Sequence, residues 1–212
     1  MVKLLGGRTA SAVIGFFMLA IGSSANAQDV AALAQPAVAT VSSAVTQAPA
    51  ASSVTVKLLP AMATEAAWLY KGGWPLQALV DKFASNAPLD EQTNCLATAV
   101  YFEARGESAE GQLAVARVVM NRAASGKYPA SWCGTVKQPW QFSFVRHGQF
   151  PSIDTSDVSW GRAVAVAKLA AANVVPSLSN DVLWYHANYV RPAWGPRLTR
   201  VEKIGAHIFY RS

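Results

Sequence analysis

The stretch LATAVYFEARGESAEGQLAVARVVMNRAASG, residues 96–126, runs through two helical patterns with one interruption between them. Before the interruption, Cys95, Leu96, Ala99, Val100 and Phe102 recur at near-helical spacing, and Gly106 stops the pattern. The spacing predicts a helix over 91–104. After it, Ser108 is suited to cap a second helix, because its hydroxyl can accept a first-turn amide hydrogen. Leu113, Ala116, Val119, Met120 and Ala123 then share one apolar face, and Gly126 supplies a C-terminal stop. Glu103 is the anomaly. It follows Val100, Tyr101 and Phe102 directly, and a carboxylate beside so much apolar surface is either solvated at a helix end or held there for its proton.

Downstream, a third helix is expected from about Val158 to Asn173, with Trp160, Ala163, Val164 and Ala167 facing inward and Pro176 beyond its end. Its many alanines imply close helix packing. The period then changes. VLWYHA (182–187) and IGAHIFYR (204–211) have strand composition, and a loop bearing Pro, Gly and Trp separates them. The class expected is α+β, a mainly helical domain with a small β-hairpin or sheet near the C-terminus.

Upstream, the chain carries the marks of export. Lys3 and Arg8 precede the apolar run ASAVIGFFMLAIG (10–22), and Ala25-Asn26-Ala27 has the small-x-small cleavage pattern. The run is shorter than the ~20 residues a membrane-spanning helix needs. Removal after Ala27 is expected, with no stable membrane insertion afterwards and a periplasmic or cell-envelope destination. Residues 28–53 are rich in Ala, Val, Ser, Thr and Pro, with no charge between Asp29 and Lys57, and read as a tether. Residues 54–90 form a lead-in in which EAAWLY (65–70) and PLQALVDKFA (75–84) are possible short helices separated by KGGWP. The information concentrates in 91–212.

The whole chain has 212 residues, of which 52% are hydrophobic and 14% charged, with a net charge of +6. Signal removal leaves 16 basic residues against 12 acidic ones. Such a surplus favours polyanionic neighbours. The charges are scattered and no block of five or six like charges occurs, which argues against a nucleic-acid-binding arm. Two cysteines, Cys95 and Cys133, make an even count without C-x-x-C pairing. In an exported chain that favours a disulfide tying the first long helix to the loop after the second, worth roughly 3–4 kcal/mol on the chain-entropy model. Two buried thiols are the alternative.

Three chemistries can be weighed. A nucleophilic triad has little support: no G-x-S-x-G elbow occurs and neither cysteine has a His–Asn context. Zinc would need His186 and His207 to meet across a hairpin with Asp181 or Glu202 adding oxygen, but neither H-E-x-x-H nor a short His-x-His pair is present. No metal or other cofactor is expected. The third is general acid catalysis at a glycosidic oxygen, which needs a carboxylic acid that keeps its proton near neutral pH, and an apolar wall produces that state. Tyr101 and Phe102 are the wall the sequence offers to Glu103. Glu107 would add like-charge repulsion, and Arg105 would oppose it.

The blocks AVYFEARGESAEGQLAVARVVMNRAASGKYPASWCGTV (99–136), QFSF (141–144), WYHANYVRPAW (184–194) and KIGAHIFY (203–210) resemble, in order, the catalytic domain of the SleB/CwlJ family of cell-wall hydrolases. The resemblance covers roughly 91–212. It implies a lysozyme-like, mostly helical fold and cleavage of peptidoglycan glycan strands, by lytic transglycosylation in the spore-cortex members. The first glutamate of the family's E-A-R-G-E block falls on Glu103, which the resemblance makes catalytic. The other blocks put Gln141, Phe142, Ser143, Tyr185, His186, Trp194 and Ile204-Gly205-Ala206-His207 at cleft-lining or supporting positions. Trp140, Phe142, Phe144, Trp184, Tyr185, Tyr189 and Trp194 are candidates for a platform under sugar rings. A water-consuming muramidase would call for a second carboxylate, with Asp154, Asp157, Asp181 and Glu202 available. The expected partner is the glycan strand. The rival readings are a metal-dependent amidase cutting the stem peptide and a non-catalytic wall-binding module.

Overall fold

A computed structural model describes residues 60–212, and the export signal and tether expected over 1–53 lie outside them. Among the described residues the helices are α1 (Pro60–Lys71), α2 (Leu76–Phe83), α3 (Glu91–Ala104), α4 (Ala109–Ala124), α5 (Trp132–Lys137) and α6 (Val158–Ala171). The strands are β1 (Val182–Ala187), β2 (Thr199–Ile204) and β3 (His207–Arg211), joined into one antiparallel sheet in the order β1-β3-β2. The architecture is thus mainly helical with a small C-terminal sheet.

Local chemistry sets the helix ends. The Gly111 N–H donates to the Ser108 hydroxyl at 3.3 Å, so α4 begins where the capping residue stands. The Thr93 N–H donates to Asp90 at 3.0 Å at the start of α3, and the Ser159 N–H donates to Asp157 at 2.8 Å at the start of α6. Beyond α4, Gly126 turns the chain with φ of 71°, the left-handed conformation that commonly ends helices.

Helix α4 lies at the centre of the fold. Leu113, Ala116 and Val119 pack into the helical core with α3 and α6, while Ala114 and Val118 join Val182 and Phe209 beneath the sheet. The single apolar face expected for this helix is therefore one of two, because the helix is sandwiched between helical and sheet layers. Trp160, Ala163, Val164 and Ala167 of α6 are all buried. Small residues on α3 and α6, such as Ala97, Ala99 and Ala163, have no exposed surface, as close helix approach requires.

Three features depart from the sequence reading. The segment 204–211 is not one strand: β2 ends at Ile204, Gly205 and Ala206 turn the chain, and β3 starts at His207. Gly205 has φ of 56° at the first of the two turn positions, the geometry of a type II′ hairpin. The segment around Cys133 is the helix α5 and not a loop, and the Cys95–Cys133 disulfide joins it to α3 across a Cα separation of 5.1 Å. The lead-in belongs to the core, since Leu69, Leu76, Leu79 and Val80 are buried and α2 packs on α4 and α6.

Candidate active site

Glu103 projects from the last turn of α3 into a cleft of about 350 Å³ that it shares with Phe102, Arg122, Tyr185, His186 and His207. The cleft lies between the helical body and the sheet, so the link from α4 to β1 and β3 fixes its width. The Tyr185 hydroxyl donates to Glu103 Oε2 at 3.0 Å. Behind this pair the buried Arg122 donates from Nε to the Leu183 carbonyl at 2.7 Å, and its guanidinium sits 6.0 Å from the Tyr185 ring. Arg122 Nη1 is buried without a hydrogen-bond partner among the described residues.

Burial pushes the Glu103 carboxyl above the ordinary carboxylate range, while the Tyr185 hydrogen bond and the Arg122 charge pull it partway back. Desolvation is the largest of the three effects and sets the direction. Burial likewise drives the Tyr185 phenol well above its usual value, with the Glu103 charge adding to the effect. Tyr185 is therefore a fixed donor, and Glu103 is a carboxyl that holds its proton to higher pH than a solvated one.

Of the four near neighbours the sequence suggested for Glu103, Phe102 alone lines its cleft. Arg105 turns away, its guanidinium 4.8 Å from the Tyr101 ring, and Tyr101 donates to Asp157 at 2.7 Å on the far side of α3. Phe102 does line the cleft, stacked on Phe144 at 4.8 Å, with Phe142 behind it at 5.5 Å from Phe144. Glu107 faces the β2–β3 turn, where the Ala206 N–H donates to its Oε2 at 2.9 Å.

The remaining residues singled out from sequence divide into three groups. Gln141, Ser143, Tyr185 and His186 line the cleft, as does Tyr189. Phe142 is buried in the aromatic wall. Trp194 is not among the lining residues; it packs against Trp184, His186 and Tyr210 at 5.4 to 5.5 Å on the outer side of the sheet. His186 is held by the Ala187 carbonyl at Nδ1 and by the Tyr210 hydroxyl at Nε2, each at 2.9 Å. Because a carbonyl only accepts, Nδ1 carries the hydrogen and donates it, which leaves Nε2 to accept a hydrogen bond from the Tyr210 hydroxyl. Burial lowers the His207 pKa, although the nearby Glu107 opposes it.

The donors weighed for zinc do not converge. Both nitrogens of His186 are engaged, Asp181 meets Arg211 at 3.3 Å, and Glu202 lies on β2 in a separate groove with Glu110 and Ile204. No group of three or more His, Cys, Asp or Glu able to hold a metal ion occurs among the described residues. The possible second carboxylates are also elsewhere: Asp154 is held by Ser156 and Asp157 caps α6. Among the described residues, Glu103 is the one acidic residue in the lining of its cleft.

Arg122 escaped the sequence reading. Its signal was available, since it follows Val115 and Val119 at helical spacing on the apolar stripe of α4. A cation in that register must be buried, and a buried cation needs a carbonyl or carboxylate nearby.

Residues 106–210 match the family model described as Cell Wall Hydrolase. The matched span begins three residues after Glu103, so it covers the cleft-lining residues other than Phe102 and Glu103. A spore cortex-lytic enzyme of Halalkalibacterium halodurans is 33% identical over 136 residues, 63% of this chain and 39% of that protein. The spore cortex-lytic enzyme of Bacillus subtilis is 32% identical over 132 residues, 61% of this chain and 41% of that protein. This chain thus spans about two fifths of the length of these relatives. The crystal structure of the catalytic domain of the Bacillus cereus SleB protein is 30% identical, with a TM-score of 0.47, covering 60% of this chain and 97% of that one. Over residues 106–210 the chain belongs to the cell wall hydrolase family.

Proposed function

We propose that this chain is an exported peptidoglycan hydrolase that cuts the glycan strand between MurNAc and GlcNAc, as a lytic transglycosylase with Glu103 as its general acid and base. The observation that carries this reading is a single half-buried carboxyl in a cleft whose lining, among the described residues, has no second acid. Glu103, whose burial favours the protonated form, donates to the departing glycosidic oxygen as the bond to C1 breaks. The resulting carboxylate takes the proton of the sugar's own C6 hydroxyl, whose oxygen closes on C1 to leave a 1,6-anhydro end. One carboxyl serves both steps, whereas direct attack by water commonly uses two. Tyr185 orients the acid, and Gln141 and Ser143 present polar groups to the sugar. The names of the spore cortex-lytic relatives support a peptidoglycan substrate.

The test is mass spectrometry of soluble products released from purified sacculi by residues 28–212, beside Glu103→Gln. The expected result is anhydro-muropeptides from the parent protein and a loss of at least about a hundredfold in the variant. Reducing-end muropeptides would replace the transglycosylase with a muramidase. Free stem peptides, lost on chelation and restored by zinc, would replace it with an amidase, and binding without product would leave a wall-binding module.

A further inference from the structure

Next to the Glu103 cleft runs a second groove, of about 890 Å³, along residues 137–148. Gln141 and Ser143 line both, so the two form one continuous surface. Among the described residues, the groove carries Lys137 and Arg146 and no acidic residue. Neither cation makes an ion pair among the described residues; the Lys137 ammonium lies 5.2 Å from the Phe150 ring.

Its backbone is built for this shape. The Gln141 N–H donates to the Gln138 carbonyl at 3.2 Å, closing a four-residue turn with Pro139 second and Trp140 third. Trp140 has φ of 64°, the left-handed region that a type II turn reserves for glycine or asparagine at that position. Its side chain is also fully exposed. A bulky residue in that conformation costs on the order of 1 kcal/mol or more, and here no burial offsets it. At the other end His147 (φ 52°) and Gly148 (φ 73°) make the two-residue turn of a short hairpin, which has the φ signs of a type I′ turn and fixes Arg146.

We propose that this groove receives the part of the strand that carries a peptide stem, with Trp140 stacked on a sugar ring and Lys137 and Arg146 paired with the stem's carboxylates. The inference rests on reading the Glu103 cleft as the site of glycan cleavage. A strand threaded past Gln141 and Ser143 passes from the Glu103 cleft into the groove. Its acidic side branches then meet the two cations that make no ion pair among the described residues, and the enzyme prefers stem-bearing strands over stripped ones.

The experiment measures binding in the Glu103→Gln background, so that turnover does not intervene, on intact sacculi and on glycan strands stripped of their stems. Lys137→Gln with Arg146→Gln is expected to weaken binding to stem-bearing material about three- to tenfold and to leave stripped strands unaffected. The difference should vanish near 1 M salt, where the screening length falls to about 3 Å. Trp140→Gly, which relieves the backbone, is expected to weaken binding to both materials without lowering the melting temperature, and Trp140→Phe to restore most of it. Lys137→Arg with Arg146→Lys keeps both charges and should bind like the parent, separating charge from misfolding. Unchanged binding in the double Gln variant, or equal losses on both materials, overturns the proposal. Product analysis of the parent protein judges the cleavage reading separately: anhydro products without stem discrimination sink only the groove, and discrimination without glycan products sinks only the cleavage.

Discussion

At the scale of single residues, the site turns on the competition around one carboxyl. Burial raises Glu103, and Tyr185 and Arg122 lower it, so removing a lowering partner leaves burial less opposed. Tyr185→Phe deletes the hydroxyl that donates to Oε2 at 3.0 Å while keeping the ring against Phe209 at 5.8 Å. The sign follows from the role proposed for Glu103. The reaction needs the protonated acid, whose fraction falls as pH rises through its pKa. A further raised pKa therefore carries the alkaline limb of the kcat/KM profile to higher pH. The expected outcome for Tyr185→Phe is that displacement, with kcat at the optimum reduced by no more than about tenfold. An alkaline limb that stays in place, or moves to lower pH, would show that Tyr185 does not act through Glu103. The sequence placed Glu103 and Tyr185 in separate blocks, but it could not pair them, because a sequence separation of 82 leaves no periodicity linking the end of a helix to the middle of a strand.

At the scale of elements, the second glutamate of the E-A-R-G-E block acts as a fastener. Glu107, in the link between α3 and α4, accepts the Ala206 N–H of the β2–β3 turn, and a Cβ on Gly205 would collide with its carboxylate. One carboxylate thus ties the helix that bears Glu103 to the strand that bears His207. Gly205→Ala suffers twice, from φ of 56° and from that collision, and is expected to cost about 1–3 kcal/mol. Glu107→Ala should cost about 1.5–3 kcal/mol through the lost charged hydrogen bond. In the double variant the collision is gone, so its loss in urea unfolding should be smaller than the two single losses combined. Additive losses would mean that Glu107 and the turn do not constrain each other. The helices were legible here because caps and apolar spacing are local signals: Ser108 and Gly126 mark α4 directly. The hairpin was less so. Its strand β2, TRVEKI, is exposed along nearly its whole length and carries no alternation of buried and exposed residues, which is the signal strand recognition depends on.

At the scale of the whole molecule, the question is where the folding unit begins. Sequence composition put the informative region at 91–212, and the family match starts later still, at residue 106. Packing gives a different boundary. Helix α2 lies on α4 and α6, and Leu76, Leu79 and Val80 are at most 5% exposed. This eight-residue helix was hard to separate from an ordered tail by sequence, because a helix that short has too few turns to establish its period, and its burial partners lie on α4 and α6, distant in the chain. Removing it would open the face of α6 that includes Gly161, whose carbonyl accepts the Ser85 N–H at 3.4 Å. Full burial of a Leu or Val side chain contributes about 1.5–3 kcal/mol, and whole domains are stable by only about 5–15 kcal/mol. Losing Leu69, Leu76, Leu79 and Val80 together, even after the ordering entropy of α1 and α2 is returned, removes a large share of that margin. The expected outcome is that residues 60–212 unfold in one cooperative transition, whereas 91–212 binds a hydrophobic dye before heating and melts at markedly lower temperature or without cooperativity. Adding a peptide of residues 60–90 in trans should recover part of the transition, since it supplies the missing surface without the covalent link. Equal melting of the two proteins would show instead that the α3–α6 core, with its Cys95–Cys133 bridge, stands without α1 and α2.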